Sequence, residues 1–216
     1  YGVHTTNDSN DNGTSQANGT LSDGSFTGSF GGFVTDMLVG VNSATAGAAG
    51  GAIDLSGATL LGLDISGDLK VGPGINAVGS LLLPDGEVTA ATATVGSADS
   101  GSDGFVQLDG TELTLTDGIG ALSIDSTNGE IHSIFSDAAP GGTWSIAWEG
   151  GDFTGDLDGY FTGGQLTVAY GGPLQIGSWY DGGLNTSYFG VLVPEPGTIG
   201  LLVVGGVAVL RRRRPR

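Results

Sequence analysis

The sequence predicts an all-β fold, and an antiparallel β-sandwich is the architecture that its turns favour. Of the 216 residues, 43 are glycine, and the acids comprise 18 Asp and only 5 Glu, a balance that suits turns better than helices. Short apolar segments alternate with polar residues at a period of two, which is the period of a strand. The sequence contains no cysteine, which excludes a disulfide framework and a thiolate metal site.

Composition divides the chain into three parts. Residues 1–25 contain almost no large apolar side chains, so they predict a disordered or exposed lead-in that cannot offset its chain entropy by burial. Residues 26–192 are predicted to form one all-β domain of about ten short strands separated by turns. Residues 193–216 form an apolar and then basic tail, with a short helix predicted at 198–210.

Two Asx-Gly dipeptides predict hairpins inside the domain. Asp109-Gly110 separates the candidate strands 105–108 and 111–116, and Asn128-Gly129 separates the candidate strands 121–126 and 130–135. Both dipeptides tolerate the positive φ that tight hairpin turns need.

The segment at residues 144–148 shows the strand period most clearly. Strict alternation there places Trp144, Ile146 and Trp148 on one face. A parallel β-helix is the alternative fold, because residues 52–69 resemble one turn of a solenoid, although this segment does not recur elsewhere in the sequence.

Charge is distributed unevenly along the chain. Residues 1–210 hold all 23 acids and a single base, Lys70, for a net charge of −22, whereas the whole chain has −17. A nucleic-acid-binding surface requires clustered cations, so the body is not expected to bind nucleic acid.

The tail contains three elements in sequence. A Pro-Glu-Pro motif comes first, held extended by its prolines, at Pro194, Glu195 and Pro196. The uncharged residues 197–210 follow; as a helix they span about 21 Å, shorter than a hydrocarbon core of about 30 Å. A cationic membrane stop, which the positive-inside rule keeps on the cytoplasmic side, ends the tail at Arg211, Arg212, Arg213 and Arg214. Because the apolar segment is short for a permanent membrane anchor, we expect transient insertion into the inner membrane.

These elements resemble the PEP-CTERM sorting signal of exported bacterial proteins. The match comprises a Val-Pro-Glu-Pro-Gly-Thr start, a Leu/Val/Gly-rich segment and the basic cluster at 211–216, where Pro215-Arg216 is a mild departure. The resemblance implies an N-terminal secretion signal and removal of the tail by an exosortase, a membrane-embedded transpeptidase-type enzyme. It also implies an extracellular destination for the domain, at the cell surface or in the extracellular matrix, often in bacteria that make exopolysaccharide, which is a further expected partner. An ordinary tail anchor and a buried C-terminal strand or helix are the alternatives.

Two groups of residues in the domain are candidate ligand sites. Closely spaced carboxylates at Asp152, Asp156 and Asp158 could supply oxygens to calcium, although the EF-hand pattern fails at both ends and plain Asp-Gly turns explain the spacing better. Three tryptophans near acidic residues are typical of carbohydrate-binding surfaces: Trp144, Trp148 and Trp179.

Catalysis is not predicted. Glu149, Asp152 and Asp181 lie beside these aromatics, but no glycosidase signature accompanies them. His132 lacks a Gly-x-Ser-x-Gly partner motif. The predicted function is a non-enzymatic, surface-sorted envelope or matrix protein. The alternatives are a carbohydrate- or calcium-dependent adhesin, a secreted glycoside hydrolase and an ice-binding protein with threonine ladders.

Overall fold

The computed structural model describes residues 29–40, 49–135 and 144–192, which form a β-solenoid of about three turns with a single short helix. The antiparallel sandwich is therefore wrong, and the β-helix alternative fits. Most strand pairs are parallel, because the chain passes from one sheet to the other and returns one turn further along. The predicted lead-in and the whole tail lie outside the described residues.

Fourteen strands and one helix make up the described fold. In chain order they are β1 (Ser29–Val34), β2 (Met37–Val39), β3 (Ala49–Asp54), β4 (Thr59–Val71), β5 (Ala77–Leu83), β6 (Gly86–Val95), β7 (Asp103–Asp109), β8 (Thr111–Leu115), β9 (Leu122–Ile124), β10 (Gly129–Ile134), β11 (Trp144–Glu149), α1 (Thr154–Gly163), β12 (Leu166–Ala169), β13 (Gln175–Asp181) and β14 (Thr186–Leu192).

These strands form two sheets. The first, sheet A, has the order β1-β4-β6-β8-β11-β14-β13, with β2 beside β4 and β9 beside β6. The second, sheet B, has the order β12-β10-β7-β5-β3. In sheet B, Gly79 pairs with Gly104 and Gly104 pairs with Gly129, so two successive central turns are equal in length.

Both predicted hairpins are wrong, since the strands on either side of each Asx-Gly dipeptide belong to different sheets. Gly110 has a φ of 71°, but it bends the chain at the corner between β7 and β8 instead of reversing it within one sheet. Asn128 likewise precedes β10 at the opposite corner. The described antiparallel pairs are β13 with β14 and β14 with β11.

The core lies between the sheets and is built from stacked apolar side chains, one from each turn. In sheet A, Val88 pairs in register with Leu63 on one side and Leu113 on the other, and all three are buried. In sheet B, Val106 occupies the same position between Leu81 and Ile131. Stacking of branched side chains along the axis removes apolar surface from water at every turn.

Helix α1 covers the inner side of the last sheet A strands. It lies between β11 and β12 in the chain and contacts β12, β13 and β14. Leu157 is fully buried, and the ring of Phe161 packs 5.3 Å from that of Phe189 on β14. Gly164 ends the helix in the left-handed conformation, with a φ of 83°.

Candidate functional site

Three aromatic side chains from neighbouring strands meet on the outer face of sheet A. They are Trp144 on β11, Tyr188 on β14 and Trp179 on β13, and we call them the aromatic patch. Each is partly exposed. The sequence predicts the two tryptophans as ligand residues but not Tyr188.

Alternation along β14 explains why the patch faces outward. Ser187 and Phe189, on either side of Tyr188, are fully buried and point into the core. Tyr188 pairs in register with Trp179, so the two side chains share the outer face.

A bulge on β11 places Trp144 in the patch. Trp144 pairs with Gly190 whereas Ile146 pairs with Phe189, so Ser145 is an extra residue and the alternation is interrupted there. Ser145 and Ile146 are both buried, and the prediction that Trp144 shares a face with Ile146 and Trp148 is wrong. The bulge turns Trp144 outward.

The rings of the patch contact one another in two geometries. Trp179 and Tyr188 are stacked, with centroids 5.4 Å apart and planes 16° from parallel. Trp144 meets Tyr188 edge-on at 5.5 Å and 61°. Because β13 is the last strand of sheet A among the described residues, the face of Trp179 opposite Tyr188 points away from the sheet.

Glycines occupy the row of the sheet beside these rings. Gly190 pairs with Trp144 on one side and with Gly177 on the other, so the row next to Tyr188 and Trp179 carries no side chain on β14 or β13. A β-carbon on Gly177 would approach only Leu192, at 3.2 Å. Gly190 is itself buried and Gly177 is partly exposed, so this row is not an open groove.

Trp148, the third predicted ligand residue, is placed differently. Its side chain is 3% exposed and stacks on Phe153 at 4.4 Å, and its indole Nε1 donates to the carbonyl oxygen of Gly118 at 2.6 Å. Trp148 therefore serves the core.

Two carboxylates lie at one end of the patch. Glu149 and Asp181 both pair with Thr186, one on each side, so they share the outer face two strand spacings apart, roughly 10 Å. Asp181 Oδ1 accepts the backbone N–H of Gly183 at 2.8 Å, which holds the β13–β14 turn. The Asp181 carboxylate therefore stabilises this turn. Both Asp181 and Glu149 are exposed.

The predicted calcium ligands flank and enter α1. Asp152 precedes the helix and accepts hydrogen bonds from the backbone and side chain of Thr154, which lower its pKa. Asp156 and Asp158 lie within the helix rather than in a turn, and Asp158 accepts a hydrogen bond from Ser178 at 2.7 Å. Within the described ranges, no group of three or more His, Asp or Glu side chains is arranged to hold a metal ion.

His132 belongs to a short polar chain on the outer face of sheet B. Its Nδ1 lies 2.7 Å from Thr167 Oγ1, and the Thr167 hydroxyl donates to Glu130 Oε1 at 2.6 Å. Because that hydroxyl has a single proton, Nδ1 of His132 is the donor to Thr167. The chain links β10 to β12 across the sheet.

The predicted sorting motif at 194–196 and the arginines at 211–214 lie outside the described residues. In the part of the chain that the structure describes, no helix has the length and apolar character needed to cross a membrane.

The fold and the patch together define a β-solenoid protein with a partly exposed aromatic patch on the outer face of sheet A. Neither a family model, nor a curated protein, nor a solved structure matches this chain.

Proposed function

We propose that this protein is an exported, non-enzymatic component of the cell envelope or extracellular matrix, sorted to the surface by its C-terminal tail. An exosortase-type membrane enzyme is the proposed partner that removes the tail. The observation that carries the proposal is the order of three elements at 194–216: a Pro-Glu-Pro motif, an uncharged apolar segment and a cluster of arginines.

The position of the tail relative to the solenoid supports this proposal. The last described strand, β14, ends at Leu192, shortly before Pro194. Val191, which is 1% exposed, is the last core residue among those described. Removal of residues 198–216 would therefore leave every described strand and the helix in the chain.

The charge of the two parts supports it as well. The acidic body, with Lys70 as its only base, favours solubility once it is outside the membrane. The arginines are suited to remain at the cytoplasmic face during insertion.

Surface labelling in the native host tests the proposal. The full protein, including whatever residues precede Tyr1 in the cell, is expressed with an epitope between Asn10 and Asp11 and probed on intact cells. We expect surface exposure of the unaltered protein, and retention in the membrane fraction when Pro194→Ala and Pro196→Ala are combined. Thr198→Ser is the matched control, which should be sorted normally. A protein found in the cytosol, or sorted equally well without the prolines, would contradict the proposal.

A further inference from the structure

We infer that the aromatic patch lies against zwitterionic lipid headgroups at the outer face of the inner membrane while the tail is inserted. The inference rests on the insertion of the tail in the proposed function. It names the surface of the solenoid that faces the membrane, which is the outer face of β11, β14 and β13 with Trp144, Tyr188 and Trp179.

The short spacer between the solenoid and the apolar segment is the first argument. β14 ends at Leu192, and the apolar segment begins at Gly197, five residues later. Even when fully extended, this spacer covers at most about 17 Å. A headgroup layer is about 6 Å thick, so the end of β14 lies within about 11 Å of the headgroups. Sheet A is wider than this gap, since its six strand spacings cover about 29 Å, and the solenoid therefore lies at the membrane surface.

The aromatic patch is close to the point where the chain leaves sheet A. Trp144 pairs with Gly190, two residues before Leu192, and Trp179 pairs with Tyr188, four residues before it. At about 3.4 Å per residue, these two pairs lie about 7 and 14 Å from the end of β14. A tilt of the solenoid onto the outer face of sheet A brings all three rings to the headgroups. Tryptophan and tyrosine favour that region, because the ring is apolar and its N–H or O–H group stays hydrated.

The distribution of charge around the end of β14 is the second argument. The charged residues of β11, β13 and β14 are Glu149 and Asp181, and both pair with Thr186. Thr186 is six residues before Leu192, so the two carboxylates lie at the far end of these strands, about 20 Å away. The half of the three strands that is nearest the tail is therefore uncharged, in a body whose net charge is −22.

The earlier turns of the solenoid carry carboxylates at the same end of sheet A. Asp85 precedes β6 and Asp109 lies just before β8, and both are exposed. Glu87 and Glu112 follow near the start of those two strands and pair in register. Carboxylates lose solvation when they enter the headgroup layer and are repelled by lipid phosphates. Contact is therefore confined to the last three strands, and zwitterionic lipids are favoured over anionic ones.

Quenching of tryptophan fluorescence by brominated lipid tests the inference on the full 216-residue chain. The chain is added to vesicles of phosphatidylcholine brominated at the headgroup end of one acyl chain, and flotation reports insertion of the tail. We expect the emission to be quenched. In the double variant Trp144→Phe and Trp179→Phe, which keeps a ring at both positions, the remaining Trp148 is 3% exposed in the core. The fraction of emission that is quenched should there fall by roughly threefold or more.

A longer spacer moves the solenoid away from the membrane without altering the patch. About twelve Gly/Ser residues inserted between Val193 and Pro194 lengthen the spacer by about 19 Å on average. This variant should still float with the vesicles, whereas the quenched fraction should fall by roughly threefold or more. The same insertion between Asn10 and Asp11 is the matched control and should leave the quenching unchanged.

The inference is overturned if the vesicle-bound protein is quenched no more than the double variant, or if the longer spacer leaves the quenching unchanged. Either result leaves the proposed sorting intact, because the tail has inserted. A chain that does not float with the vesicles refutes this inference together with the proposed function.

Discussion

Gly104 on β7 faces the backbone of Gly96, with no room for a side chain between them. A β-carbon on Gly104 would overlap the nitrogen of Gly96 and the carbonyl oxygen of Val71. Gly79 makes the same approach to Gly72 one turn earlier. At this corner of the solenoid, the end of a sheet A strand therefore packs backbone to backbone on the start of a sheet B strand.

Gly104→Ala should therefore lower the free energy of unfolding by about 2–4 kcal/mol, because backbone must shift to admit the methyl group. Urea unfolding followed by circular dichroism measures the change. Gly159→Ala is the control: it lies in the interior of α1 with open space around it and should raise stability by about 0.5–1 kcal/mol. Equal effects of the two substitutions would contradict the backbone contact.

Glu112 should destabilise the protein at neutral pH. Burial raises the pKa of its carboxyl, and the nearby charges of Glu87 and Asp85 raise it further. Glu87 pairs with Glu112 in register on adjacent turns. Glu112→Gln should therefore stabilise the protein at pH 7 by up to about 1 kcal/mol.

This gain has a defined pH dependence. Because the folded-state pKa is raised, the penalty is complete at neutral pH, diminishes as pH falls through that pKa, and vanishes below the ordinary value of 4.5. Unfolding midpoints of the variant and the unaltered protein should converge near pH 3. The exposed Glu149→Gln serves as control, with a change under about 0.5 kcal/mol.

Asp68 should show the opposite dependence. Hydrogen bonds from Lys70 Nζ and from Thr92 Oγ1, at 2.5 and 2.7 Å, lower the pKa of its carboxyl. Its stabilisation is therefore present above the ordinary pKa of 3.8 and is lost as pH falls through the lower folded value. Asp68→Asn should cost less than about 1 kcal/mol at pH 7, because the pair is partly exposed, and the difference should shrink in acid. A difference that grows in acid would exclude this role.

Leu157→Ala should lower stability by about 2–5 kcal/mol, because Leu157 is the fully buried side chain that fixes α1 against the end of the solenoid. Chemical unfolding gives the value. Ile119→Ala, at a side chain that is 91% exposed, should change stability by less than about 0.5 kcal/mol. A small effect at Leu157 would mean that the helix is not needed to cover the core.

The sequence predicts the strands better than their arrangement. Period-two alternation locates β8 and β10, but Asp109-Gly110 fits a hairpin turn and a corner between sheets equally well, since both use a positive φ at the glycine. The solenoid repeat is hidden because its length is constant only in the central turns. Longer intervals separate Ala93 from its partner Leu122 and Ile131 from its partner Leu166. The informative signal is a column of glycines that stack in register, at Gly51, Gly79, Gly104 and Gly129.

The candidate site was only partly predictable for a different reason. Alternation alone places Trp144 and Trp148 on one face, and a single inserted residue, Ser145, separates them. No local pattern in residues 144–149 reveals that bulge. Tyr188 is distant from Trp144 in the chain and joins the patch only through the pairing of β11 with β14.

Surface sorting through the C-terminal tail is tested by the intact mass of the protein isolated from its native host. We expect a C-terminus upstream of Thr198, with residues 198–216 absent and the described solenoid retained in full. A mass that includes Arg211 through Arg216 in the surface-exposed protein would contradict it.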